Sequence, residues 1–247
     1  FKDRGMTAAL TQARRAGARA VACASTGNTS AALAAYAALA GLPGLVLVPA
    51  PRGGAGGAAE PQVALGKLAQ TLAYGARTLL VRGDFDRCLA LLRAHAERLG
   101  VYLVNSVNPY RVAGQQTVAL EVLQQLGWRA PDWLVLPAGN LGNTSAAGAG
   151  LRAARALGLA DRVPRVAAVQ AAGAAPFARA FGEGFARRHS VQAETIATAI
   201  KIGDPASWDR AARVVAETRG AVTSVDDDEI LAAKAAVDAA GVGCEPA

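Results

Sequence analysis

Three observations predict an α/β fold built on open, mostly parallel sheets. Short runs of Val, Leu and Ala alternate with Ala-rich helical stretches, and the breaks between them are brief. Hydrophobic residues make up 52% of the 247 but aromatics only 5%, so the core must be assembled from Ala, Val and Leu. Polar loops follow several of the apolar runs, the place where ligands bind in sheets of this kind.

Taken in order, a helix is predicted from about Asp3 to Gly17, then a strand Ala20–Cys23. The loop 25–30 opens an Ala-rich helix that should end at Gly41, a suitable C-cap. Strand 45–48 precedes a Gly- and Ala-rich stretch, 52–59, which reads as a surface loop because it lacks the tight strand–turn–helix setting of a dinucleotide fingerprint. Helix 62–73, strand 77–81, helix 84–99 and strand 101–104 follow. One helix is expected over 111–126, then strand 133–136, helix 144–157 and strand 165–169. Asp226 and Glu229 have capping-box spacing and start a helix running to about Ala240.

The balance of 26 Lys and Arg against 19 Asp and Glu gives +7, yet the basic residues are scattered as single arginines on helix faces. Without a dense basic run and interleaved aromatics, nucleic acid is not the expected partner. Residues 31–50 carry no charge, but they are mostly Ala and are interrupted by Gly41, Pro43 and Gly44, so a buried helix and strand are expected rather than a membrane span. Cys23, Cys88 and Cys244 are odd in number and far apart, which suits reduced thiols of a cytoplasmic protein. With only His95 and His189, no metal site and no Ser-His-Asp triad is expected. Both ends read as cut from a longer protein.

Four segments carry groups suited to chemistry. Lys2, at the mouth of a helix beside Phe1, is placed to form an imine with a carbonyl cofactor, although a lone lysine is more often a surface residue. Ser25-Thr26-Gly27-Asn28-Thr29-Ser30 lies between a strand and a helix, and its hydroxyls with the helix N–H groups suit a carboxylate. A simple N-cap explains one or two of these six polar residues. Ala138-Gly139-Asn140-Leu141-Gly142-Asn143 again joins strand to helix. Its glycines should let the backbone turn so that successive N–H groups converge on a phosphate, although a plain connecting loop fits too. Asn105-Ser106-Val107-Asn108-Pro109-Tyr110-Arg111 combines amides, a hydroxyl and a guanidinium. It suits a second phosphate or loop capping equally.

These segments, together with Leu65–Gln70, Glu194–Asp204 and Cys244-Glu245-Pro246, closely resemble threonine synthases of the tryptophan-synthase-like, fold type II, pyridoxal-phosphate enzymes. The likeness runs over nearly the whole chain in the family's order. It implies two open, mostly parallel, three-layer αβα subdomains. The smaller would be residues 20–104, and the larger, incomplete at both ends, 1–19 with 105–247. It further implies that Lys2 carries pyridoxal 5'-phosphate and shuttles protons, and that Asn28 bonds the 3′-hydroxyl of the cofactor. The N–H groups of Gly139, Asn140, Leu141, Gly142 and Asn143 would hold its phosphate. Ser25, Thr26 and Thr29 would take the substrate's α-carboxylate, and Asn105, Ser106 and Arg111 its phosphate.

The implied reaction converts O-phospho-L-homoserine and water to L-threonine and phosphate, and the resemblance implies a homodimer. Three departures from the family pattern stand out, the first being a Gly-rich insert before Gln62 that is longer than usual. Ala138 replaces a glycine, which is tolerable unless its φ is positive, and Gln62 stands where a lysine is expected. The hydroxyl residue that meets the pyridine nitrogen in this family would lie beyond Ala247. A Ser/Thr dehydratase, an O-phosphoserine-using synthase and a non-catalytic relative binding a small phosphorylated ligand are the competing readings.

Overall fold

The computed structural model describes residues 1–25, 27–50, 65–83, 85–106 and 108–247. The expectations for the Gly-rich stretch 52–59, for Gln62 and for Thr26 therefore lie outside the described residues. The chain divides into two compact units, Phe1–Gln115 and Gln116–Ala247. The first helix goes with the first unit because it packs on that unit's helices.

The first unit contains α1 (Lys2–Arg15), β1 (Ala20–Ala24), α2 (Asn28–Ala40), β2 (Gly44–Ala50), α3 (Leu65–Ala73), β3 (Arg77–Arg82), α4 (Phe85–Leu99), β4 (Val101–Leu103) and α5 (Pro109–Gln115). Its strands are parallel in the order β3-β2-β1-β4. Because strand side chains alternate, Val21 and Cys23 join Met6, Leu10, Leu33 and Val46 on one side. Ala22 and Ala24 face Cys88 and Leu92 of α4 on the other. That is the three-layer arrangement. The helix α2 is almost wholly apolar, and the sheet, α1 and α3 pack against it, although Leu39 in its last turn is 81% exposed. The helix ends where Gly41 turns left-handed at φ 67°, as its sequence predicts, the N–H of Gly41 bonding the Ala38 carbonyl and that of Leu42 the Ala37 carbonyl.

The second unit contains α6 (Thr117–Gln125), β5 (Trp133–Pro137), α7 (Gly142–Ala156), β6 (Arg165–Ala171), α8 (Pro176–Gly182), α9 (Trp208–Glu217), β7 (Ala221–Val225) and α10 (Asp227–Ala239). Its strands are parallel in the order β5-β6-β7. Leu134, Leu136 and Val166 pack against α6, α7 and Val214 of α9, while the alternating Trp133 and Val135 are 39% and 61% exposed. The predicted capping box of α10 is present: the Glu229 N–H donates to Asp226 and the Asp226 N–H to Glu229.

The single helix expected over 111–126 is two helices. Asn108 accepts the N–H of Tyr110 at 3.0 Å and Pro109 takes the first helical position, so α5 starts earlier than predicted. Gln116 then separates α5 from α6. Its dihedrals remain helical (φ −59°, ψ −24°), so the apolar periodicity passes through the break without revealing it. The strand β7 and the helices α8 and α9 were not anticipated. They are short, and the irregular stretch between α8 and α9 has no period to read.

Candidate functional site

Lys2 is the first residue of α1, and its ammonium lies 5.2 Å from the centre of the Phe1 ring. What places it is a crossing of α1 with α5 through two glycines. A Cβ on Gly114 would stand 2.1 Å from the Arg4 carbonyl oxygen, and one on Gly5 would stand 2.7 Å from Gln115 Nε2. Backbone is thus packed nearly on backbone, which no larger residue permits.

At the end of β1, the Ser25 hydroxyl accepts N–H bonds from Gly27 and Ser30, both at 3.2 Å. Ser30 in turn donates to the Gly27 carbonyl at 2.7 Å. These two hydroxyls hold the turn in shape, while Asn28 and Thr29 stand half-buried on the first turn of α2. Ser25 thus takes one first-turn N–H of α2, while Gly27 at the N-cap position has no side chain to take another; a helix start of this kind suits an anion. Part of the predicted cradle is therefore capping, as the simpler explanation has it.

The second predicted phosphate segment divides by role. Asn105 is buried, and its amide accepts the Ala24 N–H at 3.2 Å and donates to the Ala24 carbonyl at 3.0 Å. It thereby acts as an extra peptide unit joining the ends of β1 and β4. One N–H and one lone pair of the amide are left over. Ser106 is half-buried beside it.

Arg111 is only 1% exposed. Its guanidinium donates one bond, to the Val104 carbonyl at 3.1 Å, while Nε and Nη2 are buried without a partner. Burial lowers its pKa to about 10, with the neighbouring Cys23 opposing the shift. The Cys23 thiol is pushed by burial up to about 12, the guanidinium pulling it back by less. It thus stays neutral and is no counter-ion. A buried guanidinium with open donors calls for an anion.

In the second unit, the strand β5 runs into the turn 138–143. The expectation that its glycines supply the bend is corrected: neither Gly139 nor Gly142 has a positive φ, and the left-handed residue is Leu141, at φ 61°. Leu141 is 1% exposed within the apolar cluster of Phe177 and Trp208. Burying that side chain is worth about 2 kcal/mol, enough to offset the strain of about 1–2 kcal/mol. Gly139 is needed for close approach, since a Cβ there would lie 2.8 Å from Ile200 Cα. Ala138 has no positive φ, so its methyl is accommodated in the same cluster. No side chain caps α7, and space is open around Gly142. A phosphate tail fits an uncapped helix start of this kind.

Sequence reasoning missed Gln170 and Asp227 among the residues that brace this turn, and the bracing role of Asn140. Gln170, fully buried on β6, donates to the Ala138 carbonyl at 3.2 Å and accepts the N–H groups of Phe177 and Ala178, both at 2.9 Å. It ties the turn to the start of α8. Asn140 accepts the Ala206 N–H at 2.6 Å through its side chain and the Ser207 N–H at 3.2 Å through its carbonyl. Asp227 holds the segment leading to Ile200, accepting from the Thr195 hydroxyl at 2.6 Å and the Ile196 N–H at 3.1 Å. No local pattern announces these partners. Replacing Gln170 with Leu should cost about 2–3 kcal/mol, because α8 loses its cap and the Ala138 carbonyl its partner. Chemical denaturation of the variant checks this.

Comparison with known proteins agrees with this geometry. The family described as "Pyridoxal-phosphate dependent enzyme" matches residues 1–247. Threonine synthase of Methanosarcina acetivorans is 46% identical over the whole chain and 59% of its own length. That of Synechocystis sp. is 49% identical over 60% of its length, and that of Mycobacterium tuberculosis 47% over 64%. The chain thus spans about three fifths of the curated relatives it matches. Among solved structures, maize serine racemase superposes with a TM-score of 0.80 at 24% identity, over 100% of this chain and 69% of its own. Threonine synthase from Escherichia coli superposes at 0.75 and 22%, over 98% and 57%. At those identities the superpositions speak for the fold alone. With its whole length matched, two parallel sheets and an uncapped glycine turn suited to a phosphate tail, the chain belongs to the pyridoxal-phosphate dependent enzyme family.

Proposed function

We propose that the protein containing this chain converts O-phospho-L-homoserine and water to L-threonine and phosphate. The observation that carries the reading is Arg111, a buried guanidinium with two donor nitrogens unpartnered. A phosphate ester supplies the anion it lacks. A Ser/Thr dehydratase has no use for such a group.

When bound, pyridoxal phosphate supplies the electron sink for charge developing at Cα and then at Cβ. Lys2 carries the cofactor, and its Nζ takes the proton from Cα and returns protons on one face. Asn28 bonds the 3′-hydroxyl of the cofactor, and the N–H groups of Gly139–Asn143 hold its phosphate. Ser25, Thr26 and Thr29 orient the α-carboxylate. Arg111, with Ser106 and the remaining N–H of Asn105, holds the phosphate that leaves from Cγ and neutralises the charge it gains as the bond breaks. Water then adds at Cβ. The smaller subdomain 20–104, a homodimeric state and a cytoplasmic location belong to the same proposal. For the last of these, the support is three free cysteines.

The test is the visible absorption spectrum of the full-length protein before and after O-phosphohomoserine, with turnover of that ester compared with Ser, Thr and O-phosphoserine. The expected result is a cofactor band that shifts on adding the phosphohomoserine ester, and turnover of that ester above the other three. A preparation with no cofactor band, or one whose band survives Lys2→Ala unchanged, ends the proposal. Faster turnover of O-phosphoserine would move it to the competing synthase.

A further inference from the structure

Besides Arg111, the buried side-chain polar atoms without a partner, among the described residues, are the hydroxyls of Thr78, Thr144 and Ser207. The last two belong to one place. Thr144 is the third residue of α7, and Ser207 immediately precedes α9. The Ser207 N–H donates to the Asn140 carbonyl at 3.2 Å, and its own carbonyl accepts the Ser145 hydroxyl at 3.4 Å. The start of α9 therefore lies against the glycine turn and the first turn of α7.

Ser207 occupies the N-cap position of α9, but at φ −101° and ψ 27° its hydroxyl does not cap. The start of α7 is likewise uncapped. Two helix N-termini, each with positive partial charge, thus meet beside two hydroxyls that are 0% and 2% exposed at the residue level. Buried hydroxyls ordinarily find a partner. A hydroxyl can donate to an anion, and two helix starts favour an anion over a neutral water.

We propose that the Thr144 and Ser207 hydroxyls donate hydrogen bonds to the cofactor's phosphate, adding side-chain donors from two helices to the N–H groups of the turn. This rests on the cofactor reading above.

The test uses full-length protein stripped of cofactor and titrated with pyridoxal phosphate and with pyridoxal, which lacks the phosphate, following the absorbance of the bound aldehyde. The wild type should prefer pyridoxal phosphate strongly. Thr144→Val and Ser207→Ala should each weaken it roughly ten- to a hundredfold, the range for a hydrogen bond to a charged group. Pyridoxal affinity should stay unchanged, and the melting temperature of the ligand-free protein should hold or rise. Thr144→Ser, which keeps the hydroxyl, should bind like the wild type.

The proposal is overturned if both variants bind pyridoxal phosphate within twofold of wild type, or if both aldehydes weaken alike. It is equally overturned if the ligand-free variants melt lower or fail to fold, since the hydroxyls would then have a partner without the cofactor. A wild type that binds neither aldehyde, or cannot tell them apart, removes the cofactor reading itself.

Discussion

Replacing Arg111 with Met is expected to cut turnover of O-phosphohomoserine by about three orders of magnitude while leaving the protein at least as stable. The loss follows from removing buried donors aimed at charge that grows as phosphate leaves, an effect of order 10²–10³ or more per group. The stability result follows from burial. A pKa lowered by burial to about 10 corresponds to about 3 kcal/mol against the charged form. The one bond the guanidinium makes, to the Val104 carbonyl, returns about 1 kcal/mol. The variant should therefore be more stable by about 2 kcal/mol at neutral pH.

That advantage should shrink with alkali. The penalty on the wild type is full below about pH 10 and fades as pH rises above it, where the unfolded chain still holds the proton and the folded one has released it. Inorganic phosphate should also narrow the gap, by binding the folded wild type and not the variant. Urea unfolding at rising pH, with and without phosphate, measures both. A variant that unfolds several kcal/mol more easily at pH 7 would show that Arg111 already has its anion within the chain.

Gly114→Ala is expected to destabilise the protein by about 3–5 kcal/mol, near the upper end for one added methyl. The methyl would meet the Arg4 carbonyl oxygen at 2.1 Å and Ala8 Cβ at 3.0 Å. Neither is the far end of a flexible side chain, so the helices themselves must separate. Because α1 begins with Lys2, the same displacement should weaken cofactor binding, read as lost absorbance of the bound cofactor. Gly182→Ala, at the end of α8 with nothing within 4 Å, is the control and should change stability by no more than about 0.5 kcal/mol. Equal losses in the two variants would mean that the crossing of α1 and α5 is looser than the contacts indicate.

What could be read without coordinates is what obeys local rules. The alternation of strand and helix follows from hydrophobic period, the end of α2 from the freedom of Gly41, and the start of α10 from the spacing of Asp226 and Glu229. The turns after β1 and β5 announce themselves, the first by six polar or small residues in a row and the second by Gly and Asn paired twice between a strand and a helix. Each of these depends on neighbours a few residues apart.

The three-dimensional packing settled everything that depends on distant partners. Asn105 becomes a backbone mimic because Ala24, 81 positions away, lies beside it. Gln170 matters because the Ala138 carbonyl and the start of α8 converge on one fully buried amide. Leu141, not a glycine, takes the left-handed conformation, since a surrounding apolar cluster offsets the strain. Arg111 keeps two open donors only because burial removes water from nitrogens that no protein group satisfies. Burial and long-range pairing belong to the folded chain as a whole, so no window of sequence contains them.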